Sequence, residues 1–264
     1  MTDVLPLLTK MAEARSADAV WSLAAGHFAG LGFSRVVYRL SRAHRETVWP
    51  DPANRQFYST LSPEFTRHYF ENGLLSGSAL HRWAEATEGA CTWSWIPRSI
   101  AAGALSAKEV ETERLSRDLG IHAGISVSFP RFHARIRAAL ALIADHGLDH
   151  GRVEEIWAAH RDALLAVAHM MHLSLLHRPA NPGRISLTPR QREALEWVAD
   201  GKTTHDVALL MGISPAMVEK HLRLARQALD VDTTAQAVAR AITLNLLFPM
   251  RHSSQTYTKE VGNP

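Results

Sequence analysis

Four helix starts follow one another between Thr188 and Leu244, and no other feature restricts the fold as strongly. Thr188, Pro189, Arg190 and Gln191 have the form of a capping box: Thr188 caps, Gln191 reaches back, and proline takes the first helical position. Ala194, Leu195 and Val198 then give one apolar face, and Gly201 is placed to end the helix in a left-handed conformation. Thr203 caps a second helix with Val207, Leu210 and Met211 inward, and Gly212 breaks it. Ser214 and Pro215 open a third helix, whose inward positions are Val218, Leu222, Ala225 and Leu229. A further capping box, Thr233 to Gln236, opens a fourth through Ala237, Ala241 and Leu244. The result is a small all-α four-helix module, residues 187–248.

Two of these helices, joined by Met211, Gly212, Ile213 and Ser214, match a helix-turn-helix: glycine in the turn, then a capped second helix. The outward face of that second helix carries Ala216, Glu219, Lys220 and Arg223, with Arg226 one turn on. A small residue at its front permits close approach to a DNA groove, and Lys220 and Arg223 have the reach for bases or phosphates. The hydroxyls of Thr203, Thr204 and Ser214 are natural phosphate partners beside helix N-termini. Residues 183–245 hold eight Lys/Arg against seven Asp/Glu, so charge alone does not separate a DNA-binding face from a solvated face on a helical interaction module.

Upstream, residues 177–186 concentrate Pro, Gly, Asn and Ser between two periodic segments, which predicts a linker. Residues 1–176 alternate otherwise. Helical periodicity over 5–31, with Ser16 as cap and Gly30 or Gly32 as stop, gives way to strands at 33–40 and 45–49. Two helices follow, 62–72 and about 77–87, then a short strand candidate at 92–96 and a helix over 105–119. Strands begin at Gly124 and Ile136, the second apolar enough to be central in a sheet. A long helix runs from about Leu148 to Leu176. The order predicts an α+β chain: an N-terminal α/β/α sandwich with an antiparallel sheet, able to enclose a ligand between sheet and helices. Residues 249–264 read as a disordered tail.

Other classes fit poorly. A single cysteine, Cys91, leaves no internal disulfide and suits a reducing compartment. The first residues lack the basic and apolar regions of a signal peptide, and no apolar run reaches membrane-spanning length, so a cytoplasmic protein without a membrane partner is expected. The fifteen histidines include no HExxH and no zinc spacing; His146 to His150 reads as a polar loop with Asp149 at a helix start, so no metal site is predicted. His68, His81 and Asp145 form no arrangement with a nucleophile, and no catalytic residue is assigned. There is no GxxxxGK[ST] phosphate loop.

The run from Leu187 to Val231 resembles the DNA-binding domain of LuxR-type regulators. Leu187-Thr188, Arg190, Glu193, Leu195, Trp197, Ala199, Gly201-Lys202-Thr203, Ala208, Ile213-Ser214, Val218 and His221 fall in register. Asp206, Met217 and Leu224 depart from the usual glutamate, threonine and asparagine. Residues 16–176 are similar, more weakly, to the autoinducer-binding domain of quorum-sensing regulators, with Phe65, Tyr69, Ser78-Ala79 and Trp93 in that family's ligand frame and Gly124 in its usual glycine place.

The resemblance implies a ligand site at Leu61, Phe65, Tyr69, Ser78 and Trp93. In the family, the Trp indole donates to a lactone carbonyl, the Tyr hydroxyl to an acyl carbonyl, and an Asp-Pro pair supplies the carboxylate that accepts the ligand amide. Here Ser78-Ala79 stand at that pair, and Leu61 and Phe65 replace aromatic residues with polar tips. Simple core packing is the competing role for Tyr69 and Trp93. The expected protein is a homodimeric transcriptional regulator of an inverted-repeat site in double-stranded DNA, with RNA polymerase as a further candidate partner. Its expected control is an acyl-homoserine lactone or another small apolar signal. The alternative is a ligand-independent or decoy regulator that acts by pairing with another LuxR-type protein.

Overall fold

The computed structural model describes residues 3–42, 55–64, 66, 74–131, 136–178 and 186–248. The chain divides into two compact units, Met1–Ile185 and Ser186–Pro264.

In the first unit, α1 (Leu5–Glu13) and α2 (Ala17–Gly30) precede β1 (Arg35–Arg42) and β2 (Arg55–Ser59). Then come α3 (Leu74–Gly77), α4 (Ala79–Ala86), β3 (Gly89–Thr92), α5 (Trp95–Ala101) and α6 (Ala107–Asp118). β4 (Gly124–Ser128), β5 (Ile136–Ile143) and α7 (His150–Leu176) complete it. The five strands form one antiparallel sheet in the order β2-β1-β5-β4-β3, so the apolar IRAALALI strand is central as its composition predicts.

Side chains on a strand alternate between faces, and here the alternation separates a core from a cavity. Val36, Tyr38 and Leu40 of β1, Ile125 and Val127 of β4, and Leu140 and Leu142 of β5 enter the main core with Met11, Phe28, Leu164 and Met171 from α1, α2 and α7. Within it the Tyr38 hydroxyl and His172 Nδ1 satisfy each other at 2.9 Å. The intervening residues, Val37, Arg39, Ser126, Ala139, Ala141 and Ile143, face the opposite side, where Leu80 of α4 and Ile96 of α5 pack. Helices therefore cover both faces of the sheet.

Local signals set most boundaries. Ser16 accepts from Ala19 N, Asp149 from Arg152 N at 2.9 Å, and Ser106 with Glu109 forms a full capping box on α6. The expected strand at 92–96 is corrected: β3 ends at Thr92, and Trp95 and Ile96 begin α5. The turn at Trp93 and Ser94 buries Trp93 and Ile96 together, which overrides the β preference of the aromatic residues. The expected strand at 45–49 and tail at 249–264 lie outside the described residues.

The second unit is helical: α8 (Pro189–Ala199), α9 (Thr204–Met211), α10 (Pro215–Leu229) and α11 (Thr234–Thr243). Thr188–Gln191, Thr203–Asp206 and Thr233–Gln236 are all complete capping boxes, and Ser214 caps α10. Gly212 takes φ 65°, the left-handed turn that ends α9. Ala194, Leu195, Val207, Met211, Val218, Leu222, Ala225, Leu229, Ala237, Ala241 and Leu244 are buried. Val198 is only half-buried, and Leu210 departs further from the expected pattern at 51% exposed, because the inward stripe of α9 runs through Val207, Ala208 and Met211 instead.

Candidate functional site

On the second face of the sheet lies a cavity of about 100 Å³. Leu61, Ser78 and Trp93 all line it, so three of the residues expected at a ligand site meet at one place. Phe65 and Tyr69, the other two, lie outside the described residues, as does His68. Apolar walls come from Val37, Leu80, Ile121, Ala141 and Ile143.

Glycine permits two of the contacts that shape this space. A Cβ on Gly124 would sit 2.3 Å from the Leu142 carbonyl oxygen and 3.0 Å from the ring of Trp93. Only a bare backbone lets the indole approach β4 this closely. Likewise, a Cβ on Gly77 would come within 2.4 Å of Thr112 Oγ1, so the end of α3 packs directly on α6 and brings Ser78 beside that helix.

The polar groups differ from the expected frame. Trp93 is 3% exposed, and its indole N–H donates to Ser126 Oγ at 2.9 Å. Its donor is thus already engaged within the protein. Ser78 is also buried, and its hydroxyl oxygen accepts from Leu80 N at 3.2 Å as the N-cap of α4. That cap leaves the Ser78 O–H available as a donor. Thr66 Oγ1 is buried at the cavity with no hydrogen-bond partner among the described residues.

Sequence reasoning missed several lining residues. Arg39 Nη2 lies 2.9 Å from both His81 Nδ1 and Glu85 Oε1, and Glu85 also pairs with Arg137. Burial first, and then Arg39, lower the His81 pKa to about 4, so its ring is neutral near pH 7. Because Nδ1 accepts from Arg39, the ring proton resides on Nε2. Glu113 and Ser116 enter from α6. That helix buries Glu109, Thr112 and Ser116 while leaving Val110 37% exposed. Residues 109, 112, 113 and 116 share one face at i, i+3, i+4, i+7 spacing, but the helix is polar nearly all round, so the sequence does not mark this face as the inward one. Asp145, considered for acid–base work, instead accepts from Ser34 N at 2.9 Å and Ser34 Oγ at 2.5 Å, which fixes the start of β1.

In the second unit, Ala216, Glu219, Lys220 and Arg223 are exposed on one side of α10, opposite its buried stripe. The expected hydroxyl partners divide into two groups. Thr203 is occupied by its capping box, donating to Asp206 Oδ2 at 2.7 Å, and Thr204 donates to Glu219 Oε1 at 3.0 Å, which ties α9 to α10. Ser214 accepts from Met217 N at 3.3 Å and keeps its O–H. Arg226 reaches Thr234 Oγ1 at 2.8 Å and so braces α11.

Comparison with known proteins covers both units. The family model "Autoinducer binding domain" matches residues 16–175, and "Bacterial regulatory proteins, luxR family" matches 185–241. The quorum sensing-dependent transcriptional regulator RpaR of Rhodopseudomonas palustris is 36% identical over 99 residues, 37% of this chain and 41% of its own length. Escherichia coli SdiA matches the fold with a TM-score of 0.56 at 15% identity, over 92% of this chain and 96% of that one. CepR2 of Burkholderia cenocepacia, an N-acylhomoserine lactone-dependent LuxR family factor, gives a TM-score of 0.52 at 20% identity, over 67% and 94%.

Proposed function

The chain belongs to the LuxR-type family of quorum-sensing transcriptional regulators, and from that premise we propose a regulator whose DNA binding is controlled by a small apolar signal in the sheet-face cavity. The observation that carries this reading is the cavity itself: apolar walls around a few inward polar groups, the composition of a small-molecule site. An acyl-homoserine lactone is the first ligand class to test, given the described dependence of CepR2 on such a compound. DNA binding rests on α10, whose exposed Lys220 and Arg223 follow a free hydroxyl and a helix N-terminus at Ser214. A homodimer on an inverted repeat is the expected assembly, since two identical recognition helices fit two half-sites.

Ligand acts by binding one conformation more tightly than another, and only that difference shifts DNA affinity. The test is titration of the purified chain with N-octanoyl homoserine lactone, followed by footprinting with and without it. Saturable binding that changes DNA affinity supports the reading. A second reading, regulation without ligand, is favoured by the engaged Trp93 N–H. A folded protein that binds DNA identically in the presence and absence of signal extract supports that second reading.

A further inference from the structure

We propose that Glu113 is the acidic contact of the signal site, its carboxylate accepting from an N–H of the bound molecule. This rests on the cavity being a signal site.

Glu113 is unlike the other acids around it. Glu109, one turn earlier on α6, bonds Ser106 and Arg82, the latter at 2.5 Å. Glu85 pairs with Arg39 and Arg137. Glu113 has neither a hydrogen bond nor an ion pair among the described residues, yet it lies on the polar face of α6 and lines the cavity. An ionisable group is rarely placed in such surroundings without a partner, because its desolvation is then uncompensated.

The chemistry of the lining indicates what that partner is. Arg39 and neutral His81, whose Nδ1 is occupied, present donors, while the single indole N–H of Trp93 is held by Ser126. The hydroxyls of Thr66, Ser78, Ser116 and Ser126 serve as either donor or acceptor. Among the described lining side chains, ionised Glu113 is the only one that can only accept. A ligand with carbonyl oxygens and one N–H suits this set, and the N–H is best satisfied by the carboxylate, since charge-assisted bonds are about twice as strong as neutral ones. An ester or hydrocarbon would bury Glu113 with nothing to donate to it.

Burial, the largest effect, and Glu109 raise the Glu113 pKa to about 7 against the opposing influence of Arg117. A ligand N–H favours the charged form, so binding near neutral pH releases a proton. A ligand presenting only carbonyls to this residue would draw a proton in.

The experiment uses the full chain with N-octanoyl homoserine lactone and the matched ester in which oxygen replaces the amide N–H. Calorimetry at about pH 6 and about pH 7.5 is run for wild type and Glu113→Gln, in buffers of different ionisation enthalpy. The expected wild type prefers the amide by roughly tenfold, binds it several-fold tighter at the higher pH, and releases protons on binding. Glu113→Gln narrows the preference and flattens the pH profile. If the amide binds wild type without proton release, Glu113 is not the contact, and this arm needs no variant to fold. Equal affinity and pH profile in Glu113→Gln also overturn the assignment. If neither compound binds wild type, the signal-site reading itself fails.

Discussion

The Trp93 indole N–H donates to the Ser126 hydroxyl across 2.9 Å, joining the turn after β3 to the cavity face of β4. The bond holds the ring against Gly124 and occupies the donor that a ligand carbonyl would need. Ligand and Ser126 therefore compete for one proton. Ser126→Ala leaves the buried indole unpaired, which costs about 1–3 kcal/mol in the free protein. A ligand carbonyl that takes the N–H recovers that cost. The expected variant has a lower denaturation midpoint but binds an acyl-homoserine lactone more tightly than wild type. Equal affinity would mean the ligand never reaches Trp93.

Glu113 also predicts how stability depends on pH. Its folded pKa of about 7 lies above the ordinary glutamate value of 4.5, so between these values the native state holds the proton more firmly than the unfolded chain. Stability from this residue is full below about pH 4.5 and falls as pH rises through 7. Glu113→Gln removes the fall. Urea unfolding should find the two proteins alike near the acid end and the variant more stable at about pH 8, by at most about 3 kcal/mol. A variant less stable than wild type at alkaline pH would show that the carboxylate has a stabilising partner.

Gly124 and Gly77 separate rigid from yielding contacts. A Cβ at Gly124 meets the Leu142 carbonyl on the central strand, which cannot move without disturbing the sheet. Gly124→Ala should cost about 3 kcal/mol or more and displace Trp93, with a changed indole fluorescence maximum. At Gly77 the obstacles are the Thr112 and Lys108 side chains, so Gly77→Ala should cost less. Reversal of that order would mean the Trp93 turn is more adaptable than β4.

The helix-turn-helix was legible almost throughout because its boundaries depend on local chemistry. Thr188, Ser214 and Thr233 cap where their spacing predicts. The misjudged Leu210 shows the limit of reading an eight-residue helix, where two turns leave the inward direction uncertain by one position. In the sensing domain, the position of Ser78 and Trp93 at the cavity was legible only through family spacing, and their partners were not legible at all. Ser126 lies 33 residues from Trp93, and strand pairing brings them together. Glu113 was overlooked because a charged residue at helical spacing ordinarily marks the solvent face, and only the burial of Thr112 and Ser116 beside it reveals the opposite.

On α10 the basic residues divide by what they already hold. Arg226 braces α11 through Thr234, whereas Lys220 and Arg223 are exposed, and the contact of Arg223 with Gln227 is long at 3.5 Å. Lys220→Ala and Arg223→Ala should weaken DNA binding while leaving the denaturation midpoint unchanged. If either contacts a phosphate, its loss lowers affinity uniformly across sequences and reduces the salt slope by about one; if it contacts a base, it relaxes specificity at one position, by about 1–3 kcal/mol. Arg226→Ala should instead lower stability by about 1 kcal/mol, with the DNA effect secondary to it. Glu219 adds an internal check, since it orients α10 through Thr204. Glu219→Gln keeps a hydrogen-bond acceptor for that hydroxyl and removes one negative charge from the DNA-facing side, so non-specific affinity should rise at low salt. If both Lys220→Ala and Arg223→Ala footprint like wild type, α10 is not the recognition helix.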